Sequence, residues 1–214
     1  MIRRFRRTAA VVASVACAAS FAMTGTAGAE DETGHATGLD AIIDSLLGTQ
    51  QVGPTPTVQH PPGGSDSLVD VTVPSVLTTG VLNVSSVGGS VTSAASVATV
   101  DVLGVVTAEA VSSECTADGS EVSGTAGLAN ASVAGTPVAA NPPPNTTVPV
   151  PLLGEVVLNE QEQDSSGIVV RSLHIAIATP LGVVSDVIIS ESACFTGVEA
   201  EAASATSGTP NLTG

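Results

Sequence analysis

The sequence predicts an all-β fold, an antiparallel β-sandwich or barrel-like domain, with a short N-terminal helix and flexible tails. Three observations point there. Val, Ala, Thr, Ser and Gly dominate the chain, and β-branched residues fit the pleated, half-buried surface of a sheet. From Asp66 onward apolar residues recur with a period of two, as in Ser67–Val73, Thr79–Ser85, Ser96–Val106 and Ile168–Ala178. Turn signals separate these runs, and no helical patterns are interleaved with them, which argues against a parallel α/β sheet. A stacked solenoid is the main rival, but no fixed repeat period is present.

The elements follow in order. Arg3, Arg4, Arg6 and Arg7 precede the small apolar run Thr8–Ala22, and Ala27-Gly28-Ala29 forms a small-x-small cleavage site. Together these read as a secretory signal peptide over residues 1–29. Paired arginines also occur in twin-arginine leaders, whose other signals are poor here. Cys17 follows Ser14, Val15 and Ala16 rather than a Leu-x-small triplet, so it reads as an apolar leader residue, not a lipidation site.

Residues 30–65 form a Gly-, Pro- and Thr-rich segment with one island. Leu39, Ile42, Ile43, Leu46 and Leu47 fall on one helical face and Gly48 suits a helix stop, so the spacing predicts a short amphipathic helix over 39–47. Pro54, Pro56, Pro61 and Pro62 make 51–65 a linker.

The β-rich domain is expected over 66–199. Gly88-Gly89 marks a turn, and Asp118-Gly119 is a hairpin signal that folds 121–133 back on the strand ending at Cys115. The prolines within 139–147 make a loop. Val148–Leu158 reads as one strand with an irregular, edge-limited start at Pro149 and Pro151. Residues 159–167 read as a polar connection. In Ile168–Ala178 the alternation places Val169, Arg171, Leu173, Ile175 and Ile177 on one face, and Val170, Ser172, His174, Ala176 and Ala178 on the other. Val183–Cys194 is the last strand. The small, polar residues 200–214 read as a disordered tail.

Charge narrows the function. The chain has five Lys plus Arg against twenty Asp plus Glu. Without residues 1–29 only Arg171 remains on the basic side. So negative a surface repels phosphate backbones and anionic headgroups, which excludes nucleic-acid binding. The absence of Lys removes Schiff-base and Ser-Lys chemistry and the usual phosphate-cradle lysine. No Trp or Tyr is available as a sugar-stacking platform. Neither a Gly-x-Ser-x-Gly elbow nor a His-Glu-x-x-His helix occurs, so no catalytic constellation is expected. No transmembrane helix is expected in the mature chain, the leader's apolar run being too short to span a bilayer.

The candidate site residues are few. A Val- and Ala-rich core buries little area per residue, and export allows a covalent staple, so a Cys115–Cys194 disulfide is expected. Arg171, on a strand face with apolar neighbours, is costly if buried unpaired; it calls for a carboxylate partner or an exposed edge. His174 reads as a structural strand histidine near Arg171. His35 and His60 fall in segments read as flexible. Glu160, Glu162 and Asp164 recur at every second residue before Gly167, a weak oxygen cluster for Ca²⁺ whose spacing departs from the EF-hand. It reads better as a solvated hairpin loop. No cofactor is expected.

The order Asn130–Val138, Pro144-Asn-Thr-Thr-Val148, Leu158-Asn-Glu-Gln161 and Leu173-His-Ile175 resembles the choice-of-anchor P family, exported β-rich proteins mainly of actinobacteria. The resemblance covers roughly residues 95–195, and Cys115 and Cys194 fall where that family tends to place cysteines. It implies export and a β-rich domain followed by a variable anchor, and it carries no catalytic residues. The chain departs from the anchored pattern: it ends at Gly214 with no Leu-Pro-x-Thr-Gly motif, closing apolar helix or basic tail, which argues for release. The expected role is a secreted or cell-surface, non-enzymatic structural or interaction protein whose partners are envelope proteins or further copies of itself. An exported small-ligand or Ca²⁺-binding protein is the alternative.

Overall fold

The computed structural model describes residues 32–45, 48–151, 154–178 and 184–197. The leader, Cys17 and the 200–214 tail lie outside the described residues. Fifteen strands are described: β1 (Thr33–Ser45), β2 (Gly48–His60), β3 (Gly64–Leu68), β4 (Val71–Val73), β5 (Leu77–Thr79), β6 (Leu82–Val87), β7 (Val91–Val102), β8 (Val106–Asp118), β9 (Glu121–Ala129), β10 (Ser132–Val133), β11 (Thr136–Pro137), β12 (Thr146–Val150), β13 (Gly154–Gln163), β14 (Gly167–Ala178) and β15 (Val184–Phe195). They form two antiparallel sheets packed face to face as a sandwich, not a closed barrel. One sheet is six-stranded, in the order β12-β13-β14-β15-β1-β2. The other is nine-stranded and built on β7 and β8, with β9 and β10 beside β8, and β5 and β6 beside β7.

Both ends of the chain contribute to the six-stranded sheet. β1 sits between β15 and β2, pairing Leu39 with Ile189 and Ala41 with Val187. The helix expected over 39–47 is therefore a strand through Ser45, and the expected linker is largely strand β2, with residues 64–65 opening β3. Tertiary pairing overrode the helical spacing: Leu39, Ala41 and Ile43 are buried, whereas Ile42 points outward at 43% exposure. The prolines that suggested a linker mark an edge instead. Every proline inside a described strand, Pro54 and Pro56 in β2, Pro137 in β11 and Pro149 in β12, lies on a strand at the end of its sheet. No ladder partner there needs the missing N–H.

Several other boundaries moved. The Thr79–Ser85 run is broken at Gly80 between β5 and β6, and Ser96–Val106 turns at Leu103-Gly104 between β7 and β8. Residues 121–133 divide into β9 and β10. Val148–Leu158 is the hairpin of β12 and β13 rather than one strand. Residues 159–163 continue β13, leaving only Asp164–Ser166 as the turn into β14. The Asp-Gly hairpin forms as expected: Asp118 pairs with Glu121, and Gly119 takes a left-handed φ of +60° in the turn.

The core is made of two buried layers of Val, Leu, Ile and Ala. The larger cluster joins Leu39, Leu82, Val97, Val111, Leu173 and Ile189 across both sheets. A smaller one surrounds Cys115, Cys194, Val91, Ile168 and Val170. The disulfide joins Cys115 on β8 to Cys194 on β15, with Cα atoms 5.9 Å apart and 79 residues between them. It therefore ties one sheet to the other, as the composition led us to expect.

One feature of the six-stranded sheet controls where its charges point. In β14, Ile168 and Val170 are buried, then Ser172 and Leu173 are buried in succession, then Ile175. The same doubling occurs at Leu158-Asn159 in β13 and Ile189-Ser190 in β15. Asn159 and Ser190 are left-handed, with φ of +50° and +62°, an unfavourable region for non-glycine residues. Ladder register is unshifted on either side of this level. The strands thus rotate by one residue without slipping, and the alternation changes phase. Thr99 at φ +50° does the same in β7, where Val97 and Val100 are both buried.

Candidate functional site: the charged face of the six-stranded sheet

The phase change corrects the expected placement of Arg171 and His174. Strict alternation put them on opposite faces; both instead stand on the outer face of β14, three residues apart, while Leu173 and Ile175 turn into the core. Glu160 on β13 and Glu191 on β15 are the register partners of Arg171 on its two sides. Cross-strand neighbours of opposite charge at this spacing attract.

Arg171 meets three carboxylates. Its Nε donates to Glu191 Oε2 at 2.7 Å, and its Nη1 donates to Glu160 Oε2 at 2.9 Å and Glu162 Oε1 at 2.8 Å. The expected carboxylate partner is thus present three times over. His174 bridges two more strands, with Nδ1 2.9 Å from Glu160 Oε2 and Nε2 2.9 Å from Asp186 Oδ1. His35, on β1 rather than in a flexible segment, places Nε2 3.3 Å from Glu191 Oε1. The result is a continuous lattice across β13, β14, β15 and β1.

The electrostatics follow from these contacts. Burial opposes ionisation of Glu160, but hydrogen bonds from Arg171 and His174 outweigh it and hold its pKa below the usual carboxylate range. Glu191 is lowered in the same way, burial being overcome by His35 and Arg171. Arg171 is itself held more firmly protonated, because its three carboxylates outweigh desolvation. Asp40 behaves in the opposite way. Burial, reinforced by the negative charges of Glu191 and Asp186, pushes its pKa up, and its Oδ1 is buried with no protein hydrogen bond.

The weak calcium cluster does not assemble. Glu160 and Glu162 are on a strand, not in a loop, and both turn toward Arg171. Asp164 accepts from Ser166 N, Ser166 Oγ and Gly167 N, closing its own turn; those bonds, led by the Ser166 hydroxyl, lower its pKa. Among the described residues no group of three His, Cys, Asp or Glu side chains is arranged to hold a metal ion. His60, expected in a flexible linker, ends β2, and its ring lies against Gly88, where any Cβ would collide with it.

Chemically, this lattice holds charge in place. A carboxylate held ionised by an arginine is unsuited to act as a general acid near neutral pH. Sequence reasoning missed His35, Asp40, Asp186 and Glu191. The signal for Asp186 and Glu191 was available: they are the only charged residues in the last apolar run. His35 and Asp40 were hidden because β1 was read as partly helical. No helix among the described residues is long and apolar enough to cross a membrane. No family model, curated protein or solved structure matches the chain.

Proposed function

We propose that the chain is an exported, non-enzymatic β-sandwich that works by presenting a rigid, acidic surface to a partner at the cell envelope or outside the cell. The observation that carries this reading is the mutual engagement of its reactive side chains. Arg171 is bonded to Glu160, Glu162 and Glu191, and His174 lies between Glu160 and Asp186. Groups fixed by one another in this way stiffen a sheet rather than perform proton transfer. The Cys115–Cys194 bond between the sheets supports an oxidising compartment, as does the signal-like sequence of residues 1–29. The resemblance of residues 95–195 to the choice-of-anchor P family points the same way. The calcium-binding alternative is less well supported, since Glu160 and Glu162 are bonded to Arg171 and Asp164 to its own turn.

Fractionation with thiol alkylation tests the reading. Protein from the medium or cell surface should have an intact mass beginning at Glu30, take up no alkylating agent before reduction, and take up two after it. Retention in the cytosol with two free thiols would overturn the proposal. Thermal unfolding should be the same in calcium and in EDTA; a clear rise in calcium would favour the alternative.

A further inference from the structure

The outer face of the nine-stranded sheet differs from the charged lattice. Strands β3, β6, β7, β8 and β9 line an open trough of about 630 Å³, within the size range of ligand-binding clefts. Its floor is shallow because β7 contributes the small side chains Ala94 and Ser96. Register builds two rows across it. Asn83, Ser96 and Ser112 stand side by side, and so do Ser85, Ala94, Glu114 and Thr125. Adjacent members of a row are about 4.8 Å apart, and the rows about 7 Å apart. Asp66 and Glu114 supply the trough's only charged side chains.

We infer that this trough binds an extended, basic peptide segment of a partner. Charge complementarity carries the inference. The chain's one basic residue beyond the arginine-rich start is Arg171, on the other sheet and bonded to three carboxylates, so Asp66 and Glu114 have no cation of this chain beside them in the trough. Hydroxyl and amide groups in rows suit the backbone N–H and C=O groups of a strand-like guest, and the two carboxylates suit its Lys or Arg side chains. The acidic surface as a whole would steer such a partner inward. Neutral glycans fit less well, because the trough has no aromatic platform.

The inference rests on the interaction-module reading, and its test is separable from that reading's. A fluorescent seven-residue peptide of alternating Lys and Thr is titrated onto the folded, disulfide-bonded protein at low salt, beside a Gln-for-Lys peptide. The basic peptide should bind and the neutral one should not. Asp66→Asn/Glu114→Gln should weaken binding about tenfold. The charge-matched pair Asp101→Asn/Glu155→Gln should weaken it less than twofold; Asp101 lies five residues along β7 from Ser96, and Glu155 on the other sheet. Ala94→Gln, which fills the floor without changing charge, should also weaken binding. Equal weakening by the two charge pairs would show general attraction to a polyanion and overturn the inference, as would unchanged binding by Ala94→Gln or no binding at all. These outcomes leave the compartment and thiol test untouched, so failure of the trough and failure of the broader reading are distinguishable.

Discussion

The two outer faces of this sandwich treat charge in opposite ways. On the six-stranded sheet, acids and bases are interleaved across neighbouring strands until nearly every charge has a partner. On the nine-stranded sheet, hydroxyls and amides form rows, and Asp66 and Glu114 lack a cation beside them in the trough. A chain with one arginine beyond its start cannot neutralise both faces. Concentrating the pairing on one face makes that face rigid and leaves the other free to bind.

The largest expected effect comes from severing the bond that holds the two faces together. Cys115→Ser/Cys194→Ser releases a loop of 79 residues, which in the chain-entropy description is about 4–5 kcal/mol. Urea denaturation should show the midpoint falling sharply; a shift below about 1 kcal/mol would mean the Val- and Ala-rich core holds the sheets together unaided.

Next is Arg171→Met, which leaves Glu160, Glu162 and Glu191 facing one another. The cluster is only partly shielded from water, so the loss should be smaller than for a deeply buried pair, about 2–3 kcal/mol. Thermal melting should fall by about 5–10 °C. An unchanged melting temperature would show that the lattice contributes nothing.

The pH response sharpens the same comparison. Glu160 and Glu191 have folded pKa values below the unfolded value of 4.5. Their ionised forms therefore stabilise the fold above about pH 4.5, and that contribution disappears as pH falls through the lower folded values. Stability measured from pH 7 to pH 3 should drop more steeply in the wild type than in Arg171→Met.

The smallest effect has the opposite sign. Asp40 has a folded pKa above its unfolded value of 3.8, so ionised Asp40 costs stability above the folded value, and the cost vanishes as pH falls below 3.8. Asp40→Asn should stabilise the protein at pH 7 by up to about 1 kcal/mol, since the group is largely screened by solvent, and should give no gain at pH 3. Destabilisation at pH 7 would contradict the assignment of Asp40 as an unpaired acid.

Much of this was legible in the sequence, for physical reasons. Alternation from Asp66 onward reflects strands with one buried face, and Asp118-Gly119 names its turn because few residues tolerate that backbone. The cysteine pairing followed from composition and the expected compartment. β1 was not legible. Its inward positions include Ala36, Leu39, Ala41 and Ile43, which straddle the phase change near Gly38; the outward Ile42 completed an accidental helical pattern. Gly38 itself lies so near Pro56 and Leu82 that a Cβ would stand 2.8 Å from the proline ring. The faces of β14 were misassigned for the same reason. Phase is set by left-handed Asn159 and Ser190 on the neighbouring strands, and nothing within Ile168–Ala178 announces it.

The most direct measurement of the paired face is a double-mutant cycle by urea unfolding at pH 7, with Arg171→Met, Glu191→Gln and the combination. A lattice of the kind described should give a coupling energy of at least about 1 kcal/mol between these two residues, which are joined at 2.7 Å. Losses that add within about 0.3–0.5 kcal/mol would mean that the charges merely lie near one another, and that the contrast between the two faces has no energetic basis.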